Sequence, residues 1–225
     1  MCMDGSGMMA IQTKAREEGV QTYEGYRSIR NAEYVVDHRT IIEVAAEPSS
    51  RNTTMVLLVT KEIPEKPKSI RTSEDDRTPS IKEVIFRLRS CDQGWGGDPD
   101  AVGPYDGSFT WFGAVVFRPD ETGGPVVEGI PRWPFENREA LGKYKPVDSW
   151  VIQRNKRADH KYRRHEIVWT QGCNFEWDGT VGGGTGEGFV DALRPGDKIT
   201  IVAHAEYLGS VNKIKYAEVE VVFSC

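Results

Sequence analysis

From Ile81 to Ser90 the chain alternates, with Val84, Phe86 and Leu88 on one side and Ile85, Arg87 and Arg89 on the other. A period of two is the mark of a strand with one face buried. The same test predicts a strand in "SFTWFGAVVFRP", with Phe109, Trp111, Val115 and Phe117 sharing a face and Trp111 facing the core. "SWVIQRN" and "RRHEIVWT" predict two more strands joined by the polar turn "KRADHKY". In "KITIVAHAEY", Ile199, Ile201, Ala203 and Ala205 oppose Lys198, Thr200, Val202 and His204, and "KIKYAEVEVVF" supplies a last strand. Earlier, Tyr34 to Ala46 and Thr53 to Ile63 are rich in β-branched residues and flank "EPSSRN", which predicts a hairpin.

Between these segments the chain reads as connection. Pro64 to Ser80 combines proline, charge and no periodicity, and the stretch after Pro119 reads as a long irregular insertion. "GTVGGGTGEG" is expected to be a flexible excursion, a lid or a linker. "FVDAL" predicts one helical turn, closed by the turn "RPGD". Short strands at turn-bounded spacing without a strong helix predict an all-β fold, an antiparallel jelly-roll-like β-sandwich. Residues 31–225 would form this single domain, behind a flexible N-terminal arm of residues 1–30 with little apolar pattern.

Composition narrows the classes of function. The 23 Gly and 12 Pro among 225 residues suit a turn-rich sandwich better than a helix bundle. A formal net charge of -5 argues against nucleic acid as the main partner, because phosphate binding needs a positive field. Four cysteines without a C-x-x-C pair read as reduced thiols of a cytoplasmic protein. The first residues hold no apolar run, so neither a secretory signal nor a membrane partner is expected.

Candidate chemistry concentrates in two places. Asp92, Gln93, Gly94 and Trp95 put an indole beside a carboxylate and an amide, which suits a sugar: the ring packs on C–H surface while the polar groups take hydroxyls. Alternatively Trp95 folds back as a plug and Asp92 caps turn amides. The second place is "RNKRADHKYRRH", whose Arg154, Asn155 and His160 could grip an anionic ligand or an acidic protein partner. It could equally keep edge strands soluble.

Other patterns fall short of a recognised site. Asp92, Asp98, Asp100 and Asp106 lack calcium-loop spacing, and His160 and His165 lie five apart without a nearby Cys, so no metal is expected. "GGGTGEG" lacks the Lys-Ser/Thr of a phosphate loop, and no G-x-S-x-G appears. No cofactor is expected.

"RSCDQGWGG", "GSFTWFGAVVF", "WVIQRNKRADHKYRRHEIVW" and "GTGEGFVDALRPGDKITIVAHAEYLGSVNKIKYAEVEV", in this order, resemble a β-sandwich domain family of fungal proteins. Its mark is the Ser-x-Asp-Gln-Gly-Trp segment, and the resemblance runs from about Ile81 to Val222. The family has no established activity, so the likeness implies a fungal source and the fold. The chain departs from the family pattern at Gly113 and Ser210, where an acidic and an aromatic residue are expected. The chain's end, a PGD turn, a strand, an Asn-bearing loop and a last strand, is similar to galactose-binding-like jelly rolls. Among these are sugar-binding F-box-associated domains and phloem lectins. That analogy adds Asn212 to the ligand-binding candidates.

The expected function is therefore a non-catalytic module that binds carbohydrate or a glycan-bearing protein. Two alternatives stand beside it. One is a protein–protein interaction module. The other is a cofactor-free cyclase or hydrolase using acids of the Asp92 loop with His160 or His165.

Overall fold

The structure is a computed structural model. It describes residues 20–23, 26–35, 42–46, 52–65, 80–121, 143–172, 176 and 178–224, with side chains between Ile42 and Phe223. Ten strands carry almost all of the regular structure: β1 (Val20–Tyr23), β2 (Tyr26–Val35), β3 (Ile42–Ala45), β4 (Asn52–Val59), β5 (Ile81–Cys91), β6 (Thr110–Pro119), β7 (Tyr144–Arg154), β8 (Arg163–Thr170), β9 (Lys198–Glu206) and β10 (Val211–Ser224). One short helix, α1 (Phe189–Ala192), precedes β9.

The strands form an antiparallel β-sandwich. The larger sheet runs β1-β2-β10-β5-β8, with β3 also pairing β10, and the smaller runs β4-β9-β6-β7. From β3 onward, every connection except β6–β7 crosses between sheets. The expected hairpin is thereby corrected: β3 pairs β10 while β4 pairs β9, so "EPSSRN" joins two sheets rather than two paired strands. The arm boundary expected at residue 30 falls inside β2, which pairs β10 from Tyr216 to Ser224. Residues 1–19 lie outside the described residues, as do the expected loop over 66–79 and most of the insertion, 122–142.

Alternation explains the core. Val84, Phe86 and Leu88 of β5 meet Ile199, Ile201 and Ala203 of β9 in one buried cluster. On β6 the phase is the reverse of the expected one. Phe112, Ala114 and Val116 point inward, while Val115 and Phe117 join a separate outer cluster with Val202. The RPGD turn is fixed by Asp197, whose carboxylate accepts two bonds from the Arg118 guanidinium, at 2.9 and 2.8 Å. Cys91 is a buried free thiol.

β7 and β8 are the last strands of their sheets and flank the same open side of the sandwich. The glycine-rich segment closes it, which overturns the expected lid or linker. Gly184 donates to Ile152 of β7 at 2.8 Å, and its carbonyl accepts the Trp169 indole N–H of β8 at 3.2 Å. Arg154 N–H reaches Gly182 at 2.8 Å, and Gln153 and Gly183 form a bridge. Beyond the segment, α1 drives Phe189 inward, its ring 4.7 Å from Trp169 and 5.0 Å from Trp150.

Glycine is required here by space. A Cβ on Gly184 would stand 1.6 Å from the Val151 carbonyl oxygen, and one on Gly186 would stand 2.2 Å from the Trp169 ring. A Cβ on Gly183 meets nothing closer than 3.7 Å. Gly184→Ala should therefore destabilise the domain by about 1–3 kcal/mol or more, as overpacking does. Gly183→Ala should stay within about 0.5 kcal/mol of the parent. Chemical denaturation of the pair checks this, and equal midpoints would show that the segment does not close the edge.

Candidate functional site

The loops β5–β6 (92–109), β7–β8 (155–162) and β9–β10 (207–210) gather at one end of the sandwich. Asp92 begins the first and is only 2% exposed. Its two carboxylate oxygens accept the amides of Gly94 at 2.6 Å and Ala158 at 2.9 Å, tying the first loop to the second. Burial raises its pKa above the ordinary carboxylate value, against the opposing pull of these amide donors. Gln93 reaches the first residue of β10, just beyond the third loop: its Oε1 accepts Val211 N–H at 3.0 Å while its Nε2 donates to the Trp95 carbonyl.

Trp95 is 60% exposed on this fixed base. The edge of its ring lies over Gly209, where a Cβ would come within 2.7 Å. Beside Gly209, Leu208 is 71% exposed and Tyr207 is 45% exposed, with the Tyr207 ring 4.5 Å from Phe109. His160 is exposed and packs on Gly94, whose missing side chain admits it. Among the described residues, the non-glycine positions with positive φ are Ala158 (φ 53) and Tyr207 (φ 65), and both belong to this end. Backbone strain of this kind tends to collect at working surfaces.

Beneath the loops lies a buried polar network. Asn155 accepts the Ser90 hydroxyl at 2.7 Å and donates to Thr110 and to Asn212, each at 2.9 Å. Asn212 donates in turn to the carbonyls of Trp111 at 3.1 Å and His204 at 3.2 Å. Ser90 and Asn212 belong to the larger sheet, and Thr110, Trp111 and His204 to the smaller. Asp92, Asn155 and Asn212 were expected to touch ligand. Buried and engaged with protein groups, they hold the loops instead.

Arg154 looks toward the outer face of the smaller sheet. Its Nη1 donates to Ser108 at 2.9 Å, and its guanidinium lies 5.4 Å from the Trp111 ring centre. Trp111, expected in the core, is half-buried on this outer face and stacks on His204 at 4.9 Å. His204 Nδ1 is 2.8 Å from the Thr54 hydroxyl. A Cβ on Gly113 would come 3.2 Å from His204 Nε2, so a side chain there would crowd that ring. Ser210 is buried, and its carbonyl accepts Ala46 N–H at 3.0 Å.

A groove of about 500 Å³ runs beside β7, with Ser149, Trp150, Val151 and Arg154 on one wall. Thr185, between Gly184 and Gly186, and Asp106 of the β5–β6 loop also line it. Sequence reasoning missed this groove, although the glycine run that builds it was in view. Among the described residues no three His, Cys, Asp or Glu side chains converge on a metal-sized site, and no helix is long and apolar enough to cross a membrane.

No family model and no curated protein matches the chain. Among solved structures it is similar to a chain of "Structure of infectious bursal disease virus Gt strain". The identity is 12% and the TM-score 0.23, over 100% of this chain and 44% of that one. A likeness so slight leaves the functional reading to the residues themselves.

Two outcomes follow from this end of the molecule. Asn155→Ala should cost about 3 kcal/mol or more, because the buried partners it leaves unpaired are penalised at about 1–3 kcal/mol each. Retained stability in denaturant titration would show that the network is incidental. The second concerns acid. Burial pushes the His204 pKa from 6.5 down to about 4, and burial with the nearby Arg163 charge does the same to His165. The unfolded chain then binds more protons between these values, so stability falls as pH drops from about 6.5 to 4, by up to about 3 kcal/mol per ring. His204→Asn, which cannot charge, should flatten roughly half of that slope in stability measured against pH.

Proposed function

We propose that the chain is a non-catalytic ligand-binding module, a β-sandwich of jelly-roll-like strand order, whose ligand is a carbohydrate or the glycan of a glycoprotein. The observation that carries this reading is an exposed indole, Trp95, on a base fixed by Asp92 and Gln93. A ring held in place before binding loses little freedom when a sugar packs on it. Exposed His160 stands next to this base as a hydrogen-bonding partner. The cyclase or hydrolase alternative draws less support, since the Asp92 carboxylate is buried against amides. A cytoplasmic location fits the buried free thiol of Cys91, and the fungal assignment rests on the sequence segments alone.

A protein partner is the second reading, favoured by Leu208, whose exposed aliphatic surface next to the indole suits a protein better than a sugar. A glycan array on the parent and on Trp95→Ala tests the first reading. The variant should lose binding tenfold or more, about 1.4 kcal/mol per decade, while stability changes by less than about 1 kcal/mol. No glycan bound by the parent, with a stability loss of about 3–5 kcal/mol in the variant, would make Trp95 a structural plug and end the carbohydrate reading.

A further inference from the structure

The geometry points to a second binding site, in the groove between β7 and residues 184–186, that takes a neutral sugar unit. For its ligand class the proposal rests on the carbohydrate reading, but the site is separate from the Trp95 surface.

The lining selects the chemistry. Arg154 and Asp106 put one positive and one negative side chain on the same groove. A small ligand of net charge meets repulsion from one of them. A neutral polyol does not, because each hydroxyl can accept from a guanidinium and donate to a carboxylate. Both charges also have protein partners already: Arg154 donates to Ser108 and lies over Trp111, and Asp106 accepts the Gly107 amide at 3.2 Å. These contacts orient both groups without removing their charges. Ser149 and Thr185 add hydroxyls to the walls.

The apolar part is oriented as well. The Trp150 indole N–H is bound to the Glu187 carbonyl at 2.8 Å, and its ring meets Phe189 edge-on. The ring is thus fixed where Trp150 lines the groove, half-buried against the core. Gly184 and Gly186 also line the groove, with backbone held against β7 and the Trp169 ring. The volume of about 500 Å³ lies within the ordinary range for a small-molecule site. Asp106 belongs to the same β5–β6 loop as Trp95, so one connection serves both surfaces.

Amide NMR of the full chain tests this, with glucose, galactose, N-acetylglucosamine and their β-linked disaccharides as probes, glycine as a zwitterionic control and inorganic phosphate as an anionic one. Saccharide should shift the amides of Asp106, Val151, Thr185 and Gly186 to saturation. Asp106→Asn and Thr185→Val should each weaken that response tenfold or more, and Trp95→Ala should leave it unchanged. If Asp106→Asn fails to fold, Thr185→Val decides alone. Shifts confined to residues 94–96 and 209 would overturn the groove while leaving the Trp95 reading intact. A groove that answers to phosphate or glycine but not to saccharide would overturn its ligand class. No shift anywhere would overturn both sites.

Discussion

Asn155 cannot leave its place without unpairing Ser90, Thr110 and Asn212 at once. Most of the contact between the two sheets is apolar, and apolar contact is non-directional, so it tolerates small slides. Hydrogen bonds do not. Around Asn155 they run from β5 and β10 of one sheet to β6 and β9 of the other, and they fix how the strand ends meet. The loops above inherit that register. Asp92 starts one residue beyond β5 and holds Ala158, three residues beyond Asn155, so the β5–β6 and β7–β8 loops are located by the same asparagine.

The opposite requirement governs the side of the sandwich. There the sheets end in β7 and β8, and an open gap would expose both Trp169 and Phe189. The glycine segment fills it with backbone alone, bonding to β7 and accepting from Trp169. A chain with side chains at 184 and 186 could not come close enough to do so. The groove along β7 lies beside this closure and is lined in part by its residues 184–186.

Much of this was legible in the chain, and the failures share a cause. The phases of β5 and β9 could be read directly, since each has one clearly apolar face. On β6 both faces are apolar, Phe112, Ala114 and Val116 against Trp111, Val115 and Phe117, so periodicity could not say which side was the core. Sheet membership is set by pairing far along the chain, which is why β3 and β4 looked like a hairpin. The glycine run was read by its flexibility in isolation, whereas its role is set by what a Cβ would strike. At the loop end the residue types were informative and the exposure was not: Trp95 stands in solvent, while Asp92, Asn155 and Asn212 lie beneath it.

A buried polar network is seldom the most stable way to fill a core, and an apolar replacement of the same shape often does as well or better. What it contributes is a single arrangement. Half-satisfied, such a network is costly; complete, it excludes neighbouring registers. At this end of the molecule the excluded alternatives are those in which the loops shift relative to one another. The amide of Asp98 on Gly107 closes the loop on itself, and Arg157 reaches the Asp98 and Ala101 carbonyls from the β7–β8 side. Trp95 at its start and Asp106 near its end are thereby held in one frame. A surface indole on a mobile loop would need no such frame. Its presence here is the physical reason to treat the loop end as a built surface rather than as a connection.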